Sequence, residues 1–200
     1  MIKFDKKNSV FTLETKDTTY AIGLLENSLL VHLYWGKKLV NAICENWADD
    51  FVWRSHSPFD YGKYSTNVLP LEFSAYGGGD SRTPSFSALY DDGSRVSKYY
   101  YKGYEIIKGK PEIKGLPAAY AEKGDNVDTL VINLYDELKN VDVYLNYSVF
   151  EDLNAITRNI KVVNSGNTLK LHTVLSAMTD FFGCDDMDII HLDILAYNQF

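Results

Sequence analysis

The sequence predicts an all-β protein of 200 residues, a large antiparallel β-sandwich. Three observations lead there. Apolar residues recur with a period of two along much of the chain, which places them on one side of successive strands. Short breaks rich in Asn, Asp, Ser and Gly separate these runs, as turns between strands require. No segment combines a sustained 3.6-residue period with helix caps, so parallel βαβ architecture and Rossmann-type cofactor binding are disfavoured.

The first strands are read at Ser9 to Glu14, Thr18 to Leu25 and Leu29 to Tyr34, β-branched and aromatic runs that form a meander. His32 belongs to the third of these, and Trp35 at its end is expected in the core. Two stretches then break the rhythm and are expected as loops: Cys44 to Pro70, carrying Trp47, Trp53, His56 and Tyr61, and Gly77 to Pro84, with three consecutive glycines. Long aromatic and polar loops are uncommon in compact domains unless they serve binding, so function is sought there first.

A tight turn is expected at Asp91-Asp92-Gly93-Ser94. Leu130, Ile132 and Leu134 then mark one side of a strand, and Val141, Val143, Leu145, Tyr147 and Val149 one side of the next. Ile156, Ile160 and Val162 mark another, followed by Leu169, Leu171, Thr173, Leu175 and Ala177. The Asn164-Ser165-Gly166-Asn167 turn between these two predicts a hairpin. His172 falls within the last strand pattern. Without internal repeats or linker-like shifts in composition, one domain is expected over residues 1–200. The last residues, ending at Phe200 in an apolar run, read as a sandwich truncated at its C-terminal end.

Composition excludes several classes. Hydrophobic residues make up 46% and charged residues 24%, enough apolar surface to fold around a core. A net charge of −7 without a basic block leaves no electrostatic footprint for nucleic acid. No apolar run approaches the ~20 residues of a membrane span, and no signal peptide is apparent, so a cytoplasmic protein is expected. Cys44 and Cys184 are read as reduced, structural thiols.

The residues that could carry chemistry are few. With 27 acidic residues, carboxylate pairs alone single out no glycosidase site. Asp49 and Asp50 sit among aromatics and could bind sugar hydroxyls, but on the residues alone a solvated acidic turn is the favoured reading. Trp47 and Trp53 offer flat faces that stack on the CH face of a pyranose. Asp185, Asp186 and Asp188 beside His191 match neither an EF-hand nor a zinc spacing, so no metal is expected. No Gly-x-Ser-x-Gly elbow is present. Gly77-Gly78-Gly79-Asp80 lacks the Gly-Lys-Ser/Thr ending of a phosphate loop, and its glycines are read as allowing positive φ.

Three ordered motifs change this reading: His32-Leu33-Tyr34-Trp35-Gly36-Lys37, then Leu71-Glu72-Phe73-Ser74-Ala75-Tyr76-Gly77-Gly78-Gly79-Asp80-Ser81-Arg82-Thr83-Pro84, then Lys108-Gly109-Lys110-Pro111 running into Gly115-Leu116-Pro117-Ala118-Ala119-Tyr120. Together they resemble the amino-terminal domain of glycoside hydrolase family 36 α-galactosidases. The later Thr129-Leu130, Val149-Phe150, Ile156-Thr157-Arg158 and Asn164-x-Gly166 fall where that family has their like, so the resemblance covers nearly the whole chain.

The resemblance implies a galactose mutarotase-like supersandwich packed on a (β/α)8 catalytic barrel, in a retaining enzyme that removes terminal α-galactosyl groups from oligosaccharides. The catalytic aspartates of such enzymes lie on the barrel, so no catalytic residue is expected here and the chain alone should be inactive. No cofactor is implied. Homo-oligomers are implied, in which an Asp directly before Arg-x-x-Ser-Pro reaches a neighbouring subunit's sugar pocket. Here Arg54-Ser55-His56-Ser57-Pro58 matches that segment, Trp53 holds the Asp position, and Asp50 and Asp49 are the nearest acids. The family's Trp after His-Leu is also missing beyond His191-Leu192, where Tyr197 is the nearest aromatic, and Ser81 replaces the usual Phe. Substrate contacts are therefore expected at Asp50, Trp53, Asp49 and Tyr197. The alternatives are a free-standing carbohydrate-binding module and a purely structural assembly domain.

Overall fold

The computed structural model describes residues 1–40, 43, 46–56, 61–115 and 119–178. Ten strands dominate them: β1 (Ile2–Asp5), β2 (Val10–Glu14), β3 (Thr18–Leu25), β4 (Leu29–Lys37), β5 (Phe86–Tyr90), β6 (Tyr100–Lys108), β7 (Val127–Asp136), β8 (Val141–Phe150), β9 (Ala155–Asn164) and β10 (Leu169–Val174). One short helix, α1 (Asp49–Arg54), and a 3-10 turn at Thr66–Val68 lie inside the stretch read as a loop. The all-β sandwich expectation therefore holds.

Antiparallel pairing gives three ladders, β1-β2-β3-β4, β5-β10 and β6-β7-β8-β9. The first two are joined into one layer by an irregular strap, residues 70–76. His32 donates its backbone N–H to Pro70 at 2.7 Å and Glu72 donates to Leu30 at 3.0 Å. On the far side Phe86 donates to Ser74 and Tyr76 donates to Phe86, both at 3.0 Å. The strap thus satisfies backbone groups that two sheet edges would otherwise leave open.

Strand alternation decides what lies between the layers. Phe11, Leu13, Tyr20, Ile22, Leu24 and Leu30 point inward from the first layer, and Leu130, Ile132, Leu134, Val141, Val143, Leu145, Tyr147 and Val149 from the second. All are buried in one cluster. The opposite side of β3 and β4 carries a satellite cluster of Leu25 and Val31 covered by Phe51, Tyr64, Leu69 and Leu71. The β3–β4 turn shows the local chemistry: Glu26 and Asn27 both have positive φ, 48° and 54°, the mirror-type geometry whose twist matches a tight hairpin.

Two expectations fail. The Asn164–Asn167 turn does not make a hairpin, because β10 turns away from β9 and pairs with β5 in the other layer. The turn residues dictate a reversal, but which edge the next strand finds depends on tertiary packing. Trp35 is not in the core: it pairs in register with the inward-facing Tyr20, whose ring it meets edge-on at 6.3 Å between centroids, yet it is 54% exposed, because it borders an open cavity toward Ile156 and Arg158 of the edge strand β9.

Candidate functional site

The aromatic stretch after β4 folds onto the outer face of the first layer. Trp47 is the anchor. Its indole N–H donates to the Asn8 carbonyl at 2.9 Å, and its ring lies over Gly23, where a Cβ would come within 2.6 Å of it. Phe51 packs edge-on against Trp47 at 6.2 Å between centroids and closes the satellite cluster. The helix stops at Ser55, whose backbone N–H and hydroxyl both reach the Phe51 carbonyl, at 3.0 and 2.7 Å. Ser65 then donates to the Ser55 hydroxyl at 3.0 Å and ties down the returning chain.

With Phe51 turned inward, helical spacing leaves Asp49, Asp50 and Trp53 on the outward side, since residues three and four apart share a face. Both aspartates are exposed, and Trp53 is 85% exposed, a large apolar ring offered to solvent. Three of the four sequence-predicted contacts are therefore gathered on one turn of helix. Tyr197 lies outside the described residues, as do Cys44, Cys184, Asp185, Asp186, Asp188 and His191. Trp47 is taken up by packing, which separates it from Trp53. His56 is exposed, and Tyr61 stands beside Tyr100 with their centroids 6.5 Å apart.

The triple-glycine loop is held by its own charges. Asp80 accepts from the Arg82 Nε and Nη2, both at 2.8 Å, while Nη2 also donates to the carbonyls of Leu69 and Thr66 at 2.6 and 3.2 Å. Gly77 and Gly79 take φ of 84° and 95°, conformations that favour glycine. Ser81 donates its N–H to Asn67 at 2.7 Å. The loop borders a concavity of about 250 Å³ that Tyr61, Tyr100 and Lys98 also line.

A buried ionic cluster escaped the sequence reading. Glu72, on the strap, lies fully buried between the layers. Tyr20 donates its hydroxyl to Oε1, and the His32 Nδ1 stands 3.3 Å from the same oxygen. Tyr147 and the Arg158 Nη2 donate to Oε2 at 2.8 and 2.9 Å. Arg158 also donates to the hydroxyls of Tyr20 and Tyr147, at 3.1 and 3.3 Å. Burial alone would push the Glu72 carboxyl up, but His32, Arg158 and Tyr20 outweigh it and hold the group below its ordinary value. Burial, with Glu72 beside them, pushes both tyrosine hydroxyls far up, so they stay protonated donors. Arg158 stays charged: burial opposes this, and the facing Tyr147 and Glu72 overcome it.

A carboxylate so saturated has no proton to give and no lone pair turned to a ligand, so it pins strap, β3, β4, β8 and β9 together. The signal was present: an acid inside the apolar run Leu69-Pro70-Leu71-Glu72-Phe73, and an Arg at an inward register of β9 between Ile156 and Ile160. Among the described residues no group of three or more His, Cys, Asp or Glu could hold a metal ion, and no helix is long and apolar enough to cross a membrane.

Residues 28–193 match the glycosyl hydrolase family 36 N-terminal domain. Over 195 residues the chain is 35% identical to α-galactosidase AgaA of Geobacillus stearothermophilus, covering 96% of this chain and 26% of that protein. Over 196 residues it is 32% identical to α-galactosidase Mel36A of Lactobacillus acidophilus, covering 96% and 27%. The chain thus spans about a quarter of the length of the curated relatives it matches. In three dimensions it resembles the family 36 α-galactosidase AgaB of G. stearothermophilus, with TM-score 0.80 and 33% identity over 88% of this chain and 24% of that one. AgaA A355E D548N in complex with raffinose superposes with TM-score 0.75 and 34% identity, over 84% and 24%. Fold, motif order and these likenesses agree: the chain belongs to the N-terminal domain family of glycosyl hydrolase family 36.

Proposed function

We propose that the chain is the non-catalytic N-terminal domain of an α-galactosidase that hydrolyses terminal α-galactosyl residues of oligosaccharides. It supports a (β/α)8 catalytic domain, takes part in assembling a homo-oligomer, and offers α1 to the sugar. The observation that carries this reading is the division of labour among the carboxylates: Glu72, between the layers, is committed to the scaffold, whereas Asp49 and Asp50 stand in solvent beside an exposed Trp53. An indole face with acceptor carboxylates beside it is what a pyranoside needs for stacking and hydroxyl recognition. Tyr197 is proposed as a further contact on sequence grounds. A cytoplasmic setting is supported by the two cysteines in 200 residues.

Release of nitrophenol from a nitrophenyl α-galactoside tests the assignment, with this chain assayed beside a polypeptide extended to the relatives' length. Turnover is expected from the extended polypeptide alone; turnover by the 200-residue chain would sink the reading. The outward Trp53 also suits a free-standing carbohydrate-binding module, and saturable binding of melibiose by the 200-residue chain would favour that alternative.

A further inference from the structure

The concavity beside the triple-glycine loop has walls that are each fixed by hydrogen bonds. On one side the loop is tied at its turn, where Gly78 donates its N–H to the Ala75 carbonyl at 3.3 Å and accepts the Thr66 hydroxyl at 3.2 Å. On the other side runs the segment that leads into β6. There the backbone N–H of Ser97 donates to the Tyr76 carbonyl at 3.1 Å, that of Lys98 to the Asp136 carboxylate at 2.8 Å, and that of Tyr101 to the Ser28 carbonyl at 2.8 Å. Tyr61 closes a third side: its ring lies beside that of Tyr100 with 33° between their planes, so the two make one aromatic wall, and Tyr100 is 40% exposed. A site framed in this way is in place before a ligand arrives, so little ordering entropy opposes binding.

The lining narrows the class of ligand. A volume of about 250 Å³ lies just below the roughly 300–1,000 Å³ of pockets that hold drug-sized molecules, which suits a single ring with its substituents. Among the described residues that line it, Asp80 is the one acid and Lys98 the one cation. The Asp80 carboxylate is occupied by the Arg82 Nε, Nη2 and backbone N–H, so it offers little to draw in a cation. The three glycines bring only peptide groups, beside Ser74 and Ser97, while Tyr61 and Tyr100 bring flat rings. Flat rings next to peptide groups and hydroxyls match a neutral pyranose, which offers a CH face on one side and hydroxyls around its rim. Gly78 keeps the space open. Unlike Gly77 and Gly79 it does not take positive φ, and a Cβ there would meet only the Ala75 carbonyl oxygen, at 3.3 Å.

We propose that this concavity is a saccharide site that seats one neutral pyranose ring against Tyr61 and Tyr100, with Lys98 and the peptide groups of the glycine loop meeting its hydroxyls. The site is built from residues other than those of α1, and it does not depend on whether the chain belongs to a catalytic polypeptide. One ring held by one aromatic wall and a few polar groups binds weakly, in the millimolar range.

Amide NMR of the 200-residue chain, titrated with methyl α-galactoside and with methyl α-glucoside, tests this. Expected with at least one of the two sugars are saturable shifts centred on the amides of Gly77, Gly78, Gly79, Ser97, Lys98 and Tyr100. Tyr100→Ala should weaken that binding by roughly tenfold, because the stacking wall is lost. Gly78→Leu, which fills the concavity from a position where the backbone tolerates a side chain, should abolish it while the thermal midpoint stays near that of the parent chain. If Tyr100→Ala does not fold, Gly78→Leu carries the test alone. Shifts centred on Asp49–Arg54 would assign the binding to α1 and overturn the proposal. The absence of saturable shifts with both sugars would overturn it, and so would binding that persists undiminished in the folded variants.

Discussion

Arg158 on β9 and Glu72 on the strap meet at 2.9 Å across the interior of the sandwich, from positions 86 residues apart. The pair joins the irregular segment that unites the first layer to the edge strand of the second. Breaking one side leaves the other charge buried and unmatched. Arg158→Leu is expected to destabilise the fold by about 3–5 kcal/mol, whereas Glu72→Met with Arg158→Leu together should recover most of that loss. Urea unfolding of the two single variants and the double variant measures the coupling, and additive losses would show that the pair is not a unit.

The same carboxyl gives the fold an acid limit. Its folded-state value lies below the ordinary 4.5, so its contribution is fully present above that pH and is lost as pH falls through the folded value. Stability should therefore climb with pH on the acid side and flatten above about pH 5. Glu72→Gln is expected to flatten the climb. Unfolding free energies measured from pH 2 to 6 for both proteins check the sign, and an unchanged slope in the variant would assign the acid dependence to other groups.

Gly23 is required by Trp47 rather than by its own backbone. An added Cβ would approach the ring to 2.6 Å, so Gly23→Ala must push the indole off Asn8 and loosen α1. A loss of about 1–3 kcal/mol is expected, with a red shift in tryptophan emission. Unaltered emission and thermal midpoint would contradict the packing described.

Trp47 and Trp53 should behave as opposites. Trp47→Ala removes the anchor of the satellite cluster and is expected to cost about 3 kcal/mol. Trp53→Ala should leave stability within about 0.5 kcal/mol, because the ring is 85% exposed. In a polypeptide extended to the relatives' length, Trp53→Ala and Asp50→Ala are expected to raise KM for an α-galactoside several-fold with little change in folding. Unchanged KM and oligomeric state would instead support a purely structural role for α1.

Much of the sandwich is legible in the chain because period-two alternation is a local property: Val141 to Val149 can lie on one side of a strand whatever surrounds them. β1, β5 and β6 were not legible. β6, Tyr100–Lys108, shows no alternation, since it is an edge strand exposed along most of its length and feels little demand for a hydrophobic face. Helix α1 escaped as well: its six residues are shorter than two turns, and it is held by Trp47 and Phe51 rather than by its own periodicity.

By itself the sequence determined the class of fold, the meander of β2, β3 and β4, the succession of β7, β8 and β9, and the motifs that mark the family. Only the tertiary structure decided that β10 leaves β9 for β5, that the strap welds two ladders into one layer, and that Glu72 finds Arg158. The physical reason is range. Alternation and turn chemistry act over a few neighbouring residues, whereas strand partnership and the pairing of buried charges are settled by groups far apart in the chain, each of which is tolerable in the interior only when the other is there.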